Sequence, residues 1–148
     1  MKKMMLAALV CCALTFDMQA QSNYKVVTIV ESIVPGGIGR SRMVEEKSPL
    51  DHSGFTTERT DGKKSKQRGV KRGDAKVDKF VETKLLNFYS MVGINFQNVA
   101  SNDALISSKI NEMAQDGWNL KFVTSGVESD AGKGDGKGIF ITRLIFTK

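Results

Sequence analysis

The stretch Ser101 to Phe122, SNDALISSKINEMAQDGWNLKF, sets the architecture expected of the chain. Ser101 or Asn102 can cap the free amides of a helix start, and Asp103 places a negative charge in the first turn, where it suits the dipole. Ile106, Ile110 and Met113 recur at helical spacing, with Leu105 and Ala114 widening the stripe; Lys109, Glu112 and Asp116 are expected to face away. Gly117 stands where a left-handed C-terminal cap is expected, which would fold Trp118 back against Met113. Trp118, Leu120 and Phe122 then alternate with Asn119 and Lys121, predicting a half-buried strand, running to about Val127, whose apolar side meets the helix.

Either end of the chain supplies the partners for that strand. Tyr24 to Val34 (YKVVTIVESIV) is rich in β-branched residues and apolar on both parities, as a central strand covered on both sides for part of its length would be. Pro35-Gly36-Gly37 provides a turn, and Ile38 to Glu46 returns as the second arm of a hairpin. Glu128 to Gly138 is a flexible connection into Ile139 to Phe146 (IFITRLIF), an interior strand by its double-sided hydrophobicity. The expected fold class is therefore α+β: an antiparallel sheet of about four strands with one main helix packed on one face.

Two stretches resist this scheme. Residues 47–79 carry Pro49, several Gly, Ser and Thr and almost no apolar periodicity, and read as a mobile basic insertion on the surface. In Phe80 to Val99, Leu85, Phe88, Tyr89 and Val92 fit a short helix closed by Gly93, with an extended chain the alternative; its bulky side chains place it in the core.

The first 20 residues read as a signal peptide: Lys2 and Lys3, an apolar run from Met4 to Phe16, then Met18-Gln19-Ala20 before the cut. The run is shorter than the roughly 20 residues of a membrane-spanning helix, so no transmembrane anchor is expected after cleavage. Cys11 and Cys12 leave with it, and residues 21–148 form a single domain with no disulfide or thiolate metal site. The expected location is outside the cytoplasm, in periplasm, on the cell surface or in the medium.

Charge is concentrated. Without Lys2, Lys3 and Asp17 the chain keeps a net +5, and the segment from Glu58 to Lys79 alone holds nine basic and four acidic residues, again +5. Lys63, Lys64, Lys66, Arg68, Lys71 and Arg72 form the densest cluster, and Arg40 with Arg42 would share one strand face. These eight are the candidate ligand-binding residues, suited to phosphate or carboxylate groups of an anionic surface ligand. A solvated loop that keeps the protein soluble is the ordinary account of such a charge run and is preferred to a binding site. It holds no aromatic residue to stack on a base, so nucleic acid is not the expected partner.

No catalytic or metal constellation emerges. Gly37, Gly39 and Arg42 lack the third glycine and the helix of a dinucleotide fingerprint. Ala131 to Gly138 has Ala and Gly where a phosphate-binding loop needs Gly and Ser or Thr. Glu128, Asp130 and Asp135 are interrupted by Lys133 and do not follow calcium-loop spacing. His52, the single histidine, has only adjacent Asp51 and Ser53 as partners, and triad members converge from separate elements. No cofactor is expected. An enzyme would need Glu31, Arg40, Arg42 and Glu128 to meet in one cleft.

With Asn111 to Leu120 (NEMAQDGWNL) between an opening YKVV strand and a closing IFITRLIF strand, the chain resembles a family of small bacterial domains of unknown function, built as a strand, a helix ending in Gly-Trp and two further strands. The resemblance covers residues 24–34 and 101–147 and implies a compact α+β fold without catalytic residues to carry over. The expected role is an exported, non-enzymatic interaction or structural module with a protein or envelope partner; the alternative is a binding protein for an anionic ligand or cell-surface polyanion.

Overall fold

A computed structural model describes residues 22–34, 41–63, 66–128 and 138–148. The expected signal peptide, the turn at 35–37 and the Gly-rich connection at 129–137 lie outside these residues, as do Arg40 and Lys64.

The elements run β1 (Tyr24–Ser32), β2 (Arg42–Glu46), β3 (Phe80–Lys84), β4 (Tyr89–Ser90), β5 (Gly93–Ile94), α1 (Phe96–Gln115), β6 (Asn119–Glu128) and β7 (Ile139–Thr147). The main sheet has five strands in the order β3-β2-β1-β7-β6, every neighbouring pair antiparallel. The α+β class and the single main helix stand; the sheet is one strand larger than expected because Phe80–Lys84 pairs with β2, with Glu46 opposite Phe80 and Arg42 opposite Lys84. β1 and β7, from opposite ends of the chain, pair over nine residues, from Tyr24 opposite Thr147 to Ser32 opposite Ile139.

Alternation along β1 sends Val27 and Ile29 to the side where α1 lies, and their cross-strand partners Met43, Leu144 and the neighbouring Phe146 follow. With Leu85 and Met113 they form the buried core, against which Ile106, Ile110 and Trp118 pack. At about 25 cal/mol per Å² of apolar surface, each such side chain contributes on the order of 2 kcal/mol.

The helix is longer than its sequence cap implied. Its N-cap is Asn95, whose side chain accepts from the amides of Gln97 and Asn98, and Ser101 and Asn102 lie inside the second turn. At the other end the expectation holds. Gly117 has φ of 81°, its amide donates to Ala114 O, and the Trp118 amide donates to Met113 O at 2.9 Å, the two hydrogen bonds of a Schellman cap.

The region 80–99 departs most from expectation. No helix forms over Leu85 to Val92; β4 and β5 close a two-residue hairpin there, and only Leu85 of its bulky residues is buried. Met91 is 84% exposed and Val92 97%, so the assignment of this stretch to the core was wrong. Apolar composition identified the residues as needing shelter, but a tight turn at Met91-Val92 points them outward.

Among its described residues the insertion at 47–79 contains three single-turn 3-10 helices, at His52–Phe55, Thr60–Gly62 and Gln67–Gly69, none with a buried residue. Its ends meet where the Lys47 amide donates to Lys79 O at 2.9 Å, so the segment leaves and re-enters the sheet at one point. No described helix is long and apolar enough to cross a membrane.

Candidate functional site

Two polar junctions hold α1 on the sheet, and neither was visible in the sequence. Asn102, expected as a cap, is fully buried. Its Nδ2 donates to Leu86 O at 2.8 Å and to Glu31 Oε1 at 2.9 Å, while its Oδ1 accepts from the Leu86 amide at 2.8 Å. One side chain thus pairs a strand-like backbone on both its donor and its acceptor and joins α1, β1 and the β3–β4 connection. Burial pushes the Glu31 carboxyl above its ordinary value, opposed by the Asn102 hydrogen bond and reinforced by the charge of Asp103.

The second junction is Glu45, whose side chain is 5% exposed. Lys25 and Lys47 donate to its Oε1 at 2.8 and 2.7 Å, and Lys109 lies 2.6 Å from Oε2. Burial alone would raise this carboxyl; hydrogen bonds from Lys109, Lys25 and Lys47 outweigh it and bring it down to about 2. Lys109 therefore does not face away, as its polarity suggested; it reaches inward along the Ile106–Ile110–Met113 stripe and also holds Glu112 at 2.9 Å. A groove of about 300 Å³ opens beside it, lined by Met43, Val81, Leu105 and Lys47 among others. Lys47 and Lys109 are both held there by carboxylates, Lys47 by Glu45 and Lys109 by Glu45 and Glu112.

The candidate ligand-binding residues are scattered. Arg42 lies on the face of β2 away from the helix, with its Nε 4.0 Å from Glu82. Lys63, Lys66, Arg68, Lys71 and Arg72 stay on the exposed insertion, and among the described residues none forms an ion pair. Glu31 faces the helix while Arg42 and Glu128 face the other way, three strands apart, so these residues do not form one cleft. Among the described residues there is no group of three His, Cys, Asp or Glu positioned for a metal.

What the fold does assemble is an uncovered surface. On the face opposite α1, cross-strand registers align Phe122, Ile145, Val26, Glu46 and Phe80 in one row, and Gly126, Ile141, Val30, Arg42 and Lys84 in another. In the first row Phe122, Val26 and Phe80 are exposed. The double-sided hydrophobicity of β1 predicts cover on both faces for part of its length, and that of β7 an interior strand; both strands are interior to the sheet, and α1 lies on one of its two faces.

β6 is the extreme case. All ten of its residues are exposed, including Leu120 at 42%, Phe122 at 58%, Val123 at 57% and Val127 at 59%. A β-bulge lies between Leu120 and Phe122, which pair with the consecutive residues Phe146 and Ile145. The extra residue reverses the alternation, so Phe122 points away from the helix rather than toward it as the Trp118–Leu120–Phe122 pattern predicted. Trp118 itself is held: it packs on the core, and Lys25 and Lys148 lie over its ring, 5.6 and 5.9 Å from the centroid.

No protein-family model, curated protein or solved structure matches the chain.

Proposed function

We propose that the protein is an exported interaction module that docks a partner on the sheet face left bare by α1. The observation that carries this reading is the row Phe122–Ile145–Val26, in which Phe122 and Val26 are exposed, with Ile141 and Val30 on the same face beyond Thr28 and Arg143. Monomeric proteins seldom leave extended apolar patches in water, and those that do use them for contact. The scatter of Glu31, Arg42 and Glu128 supports a binding role over a catalytic one.

A photo-crosslinking residue placed at Val26 or Phe122 in cells that make the full chain tests the reading. It predicts adducts of defined mass from both positions and none from Ser107, on the exposed side of α1. Equal labelling at all three, or none, would overturn it.

A second reading rests on the insertion, where five described cations stand exposed between Lys63 and Arg72 and pair with no carboxylate among the described residues. Such a cluster suits an anionic surface polymer. Retention on a heparin column that falls steeply with added salt is the expected result; salt-independent retention would count against it.

A further inference from the structure

We infer that the partner for the β6 edge is a second copy of this chain, joined strand to strand into one continuous ten-stranded sheet. The inference deepens the docking reading and rests on it.

Among the described residues the sheet ends in two edges, β3 and β6, and they differ in the features that decide whether an edge recruits another strand. β3 is five residues long and carries Glu82 and Lys84, and charges on a short strand discourage pairing. β6 is ten residues long, and Phe122-Val123-Thr124-Ser125-Gly126-Val127 contains no charge and no proline. A long, exposed edge whose six central residues carry no charge, with Lys121 and Glu128 only near its ends, pairs readily with another strand unless something already covers it.

The edge is also complementary to itself. Antiparallel pairing about a two-fold axis at Thr124 sets residue 120 opposite 128 and so overlaps β6 along its whole length. In that register Phe122 of each copy lies opposite Gly126 of the other, on the face away from the helices. Gly126 there leaves a notch of about 340 Å³, walled by Thr124, Glu128, Ile141 and Arg143, and no atom lies within 4 Å of where its Cβ would be. A phenyl ring fits a space of that size, and aromatic side chains commonly cover a cross-strand glycine. Lys121 near one end of the strand approaches Glu128 of the other copy; a parallel pairing would bring like charges together instead. A strand of this length spans about 33 Å and hides on the order of 500 Å² per copy when paired, about 1,000 Å² in all, the size at which specific interfaces begin.

Sedimentation velocity on the protein recovered from cells expressing the full chain tests this. A dimer is expected, with Gly126→Leu raising its dissociation constant about tenfold or more by filling the notch. The new side chain meets nothing in the single copy, so Trp118 fluorescence should stay native. Phe122→Asp should do the same from the other side of the contact, and Val81→Asp, on β3, should leave the dimer intact. In a Cys11→Ser, Cys12→Ser background, Thr124→Cys should give a disulfide-linked dimer under mild oxidation, since paired Cα atoms on the axis lie about 4.5–5.5 Å apart.

A monomer at every concentration overturns the inference, as does a dimer that ignores both Gly126→Leu and Phe122→Asp. Growth to open-ended polymers would indicate β6-to-β3 stacking and also overturn it. A monomer that still crosslinks from Val26 and Phe122 to a different protein would leave the docking reading standing and remove only the self-pairing.

Discussion

Lys109 Nζ lies 2.6 Å from Oε2 of Glu45, so the middle of α1 is fastened to β2 by charge where the neighbouring turns of the helix are fastened by hydrocarbon. Both side chains are mostly buried, at 11% and 5% exposure, and such a pair destabilises strongly when one partner is removed.

Glu45→Gln is therefore expected to lower stability by about 3 kcal/mol near neutral pH, measured by urea unfolding followed through Trp118. The folded carboxyl sits at about 2 against an ordinary 4.5, so the unfolded chain takes up the proton first as pH falls. Its stabilisation is complete above pH 4.5 and is lost between 4.5 and 2. The gap between the native chain and Glu45→Gln should close over that window. Glu31 acts in the opposite sense: its raised value favours the folded state in acid, and that contribution fades as pH rises through its folded pKa.

Asn102→Ala should cost about 3 kcal/mol, because the Leu86 amide and carbonyl both lose their partner. Hydrogen exchange at the Leu86 amide should accelerate more than exchange in β1 and β7. Asn102→Asp should be as harmful or worse, since it sets a carboxylate against Glu31 and removes the donor to Leu86 O. Uniform acceleration across the sheet would mean that Asn102 stabilises only globally.

Within the segment that misled the sequence reading, neighbouring residues should behave differently. Leu85→Ala is expected to cost about 2–4 kcal/mol as a core truncation, while Val92→Ser should change stability by less than about 0.5 kcal/mol. Thermal melts of the two variants separate the structure from the composition-based expectation, under which both would be harmful.

Gly117→Ala should destabilise by roughly 1 kcal/mol, because φ of 81° is strained for a residue with a Cβ. Gly117→Asn should recover part of that loss, as asparagine tolerates the left-handed region better. Equal stability of all three would show that the cap is not confined to this conformation.

Local rules sufficed where one residue type has one backbone use. Gly117 closed the helix and Trp118 returned onto Met113 as the pattern implied, and the two-sided apolar strands Tyr24–Ser32 and Ile139–Thr147 proved to be central in the sheet. Failure came where side-chain chemistry depends on distant partners. Lys109 was placed outside for its charge, because nothing local reveals that Glu45, 64 positions earlier, waits beneath it. Asn102 resembled a cap for the same reason, its true partners being Leu86 and Glu31. Phe122 was misplaced by a single extra residue, since alternation cannot show a bulge in advance. Of the candidate site, the exposed insertion cations were legible, but the bare apolar face was not: hydrophobic residues on both parities signal two covered faces and cannot reveal that one cover is missing.

The nine-residue ladder between Tyr24–Ser32 and Ile139–Thr147 also sets an order of events during synthesis. The first strand emerges more than a hundred residues before its longest-paired neighbour exists, and contacts so distant along the chain are slow to form. Until the last strand has been made, Val27 and Ile29 lack half of their lateral support. The central ladder of the sheet therefore cannot close until the last residues of the chain have been made.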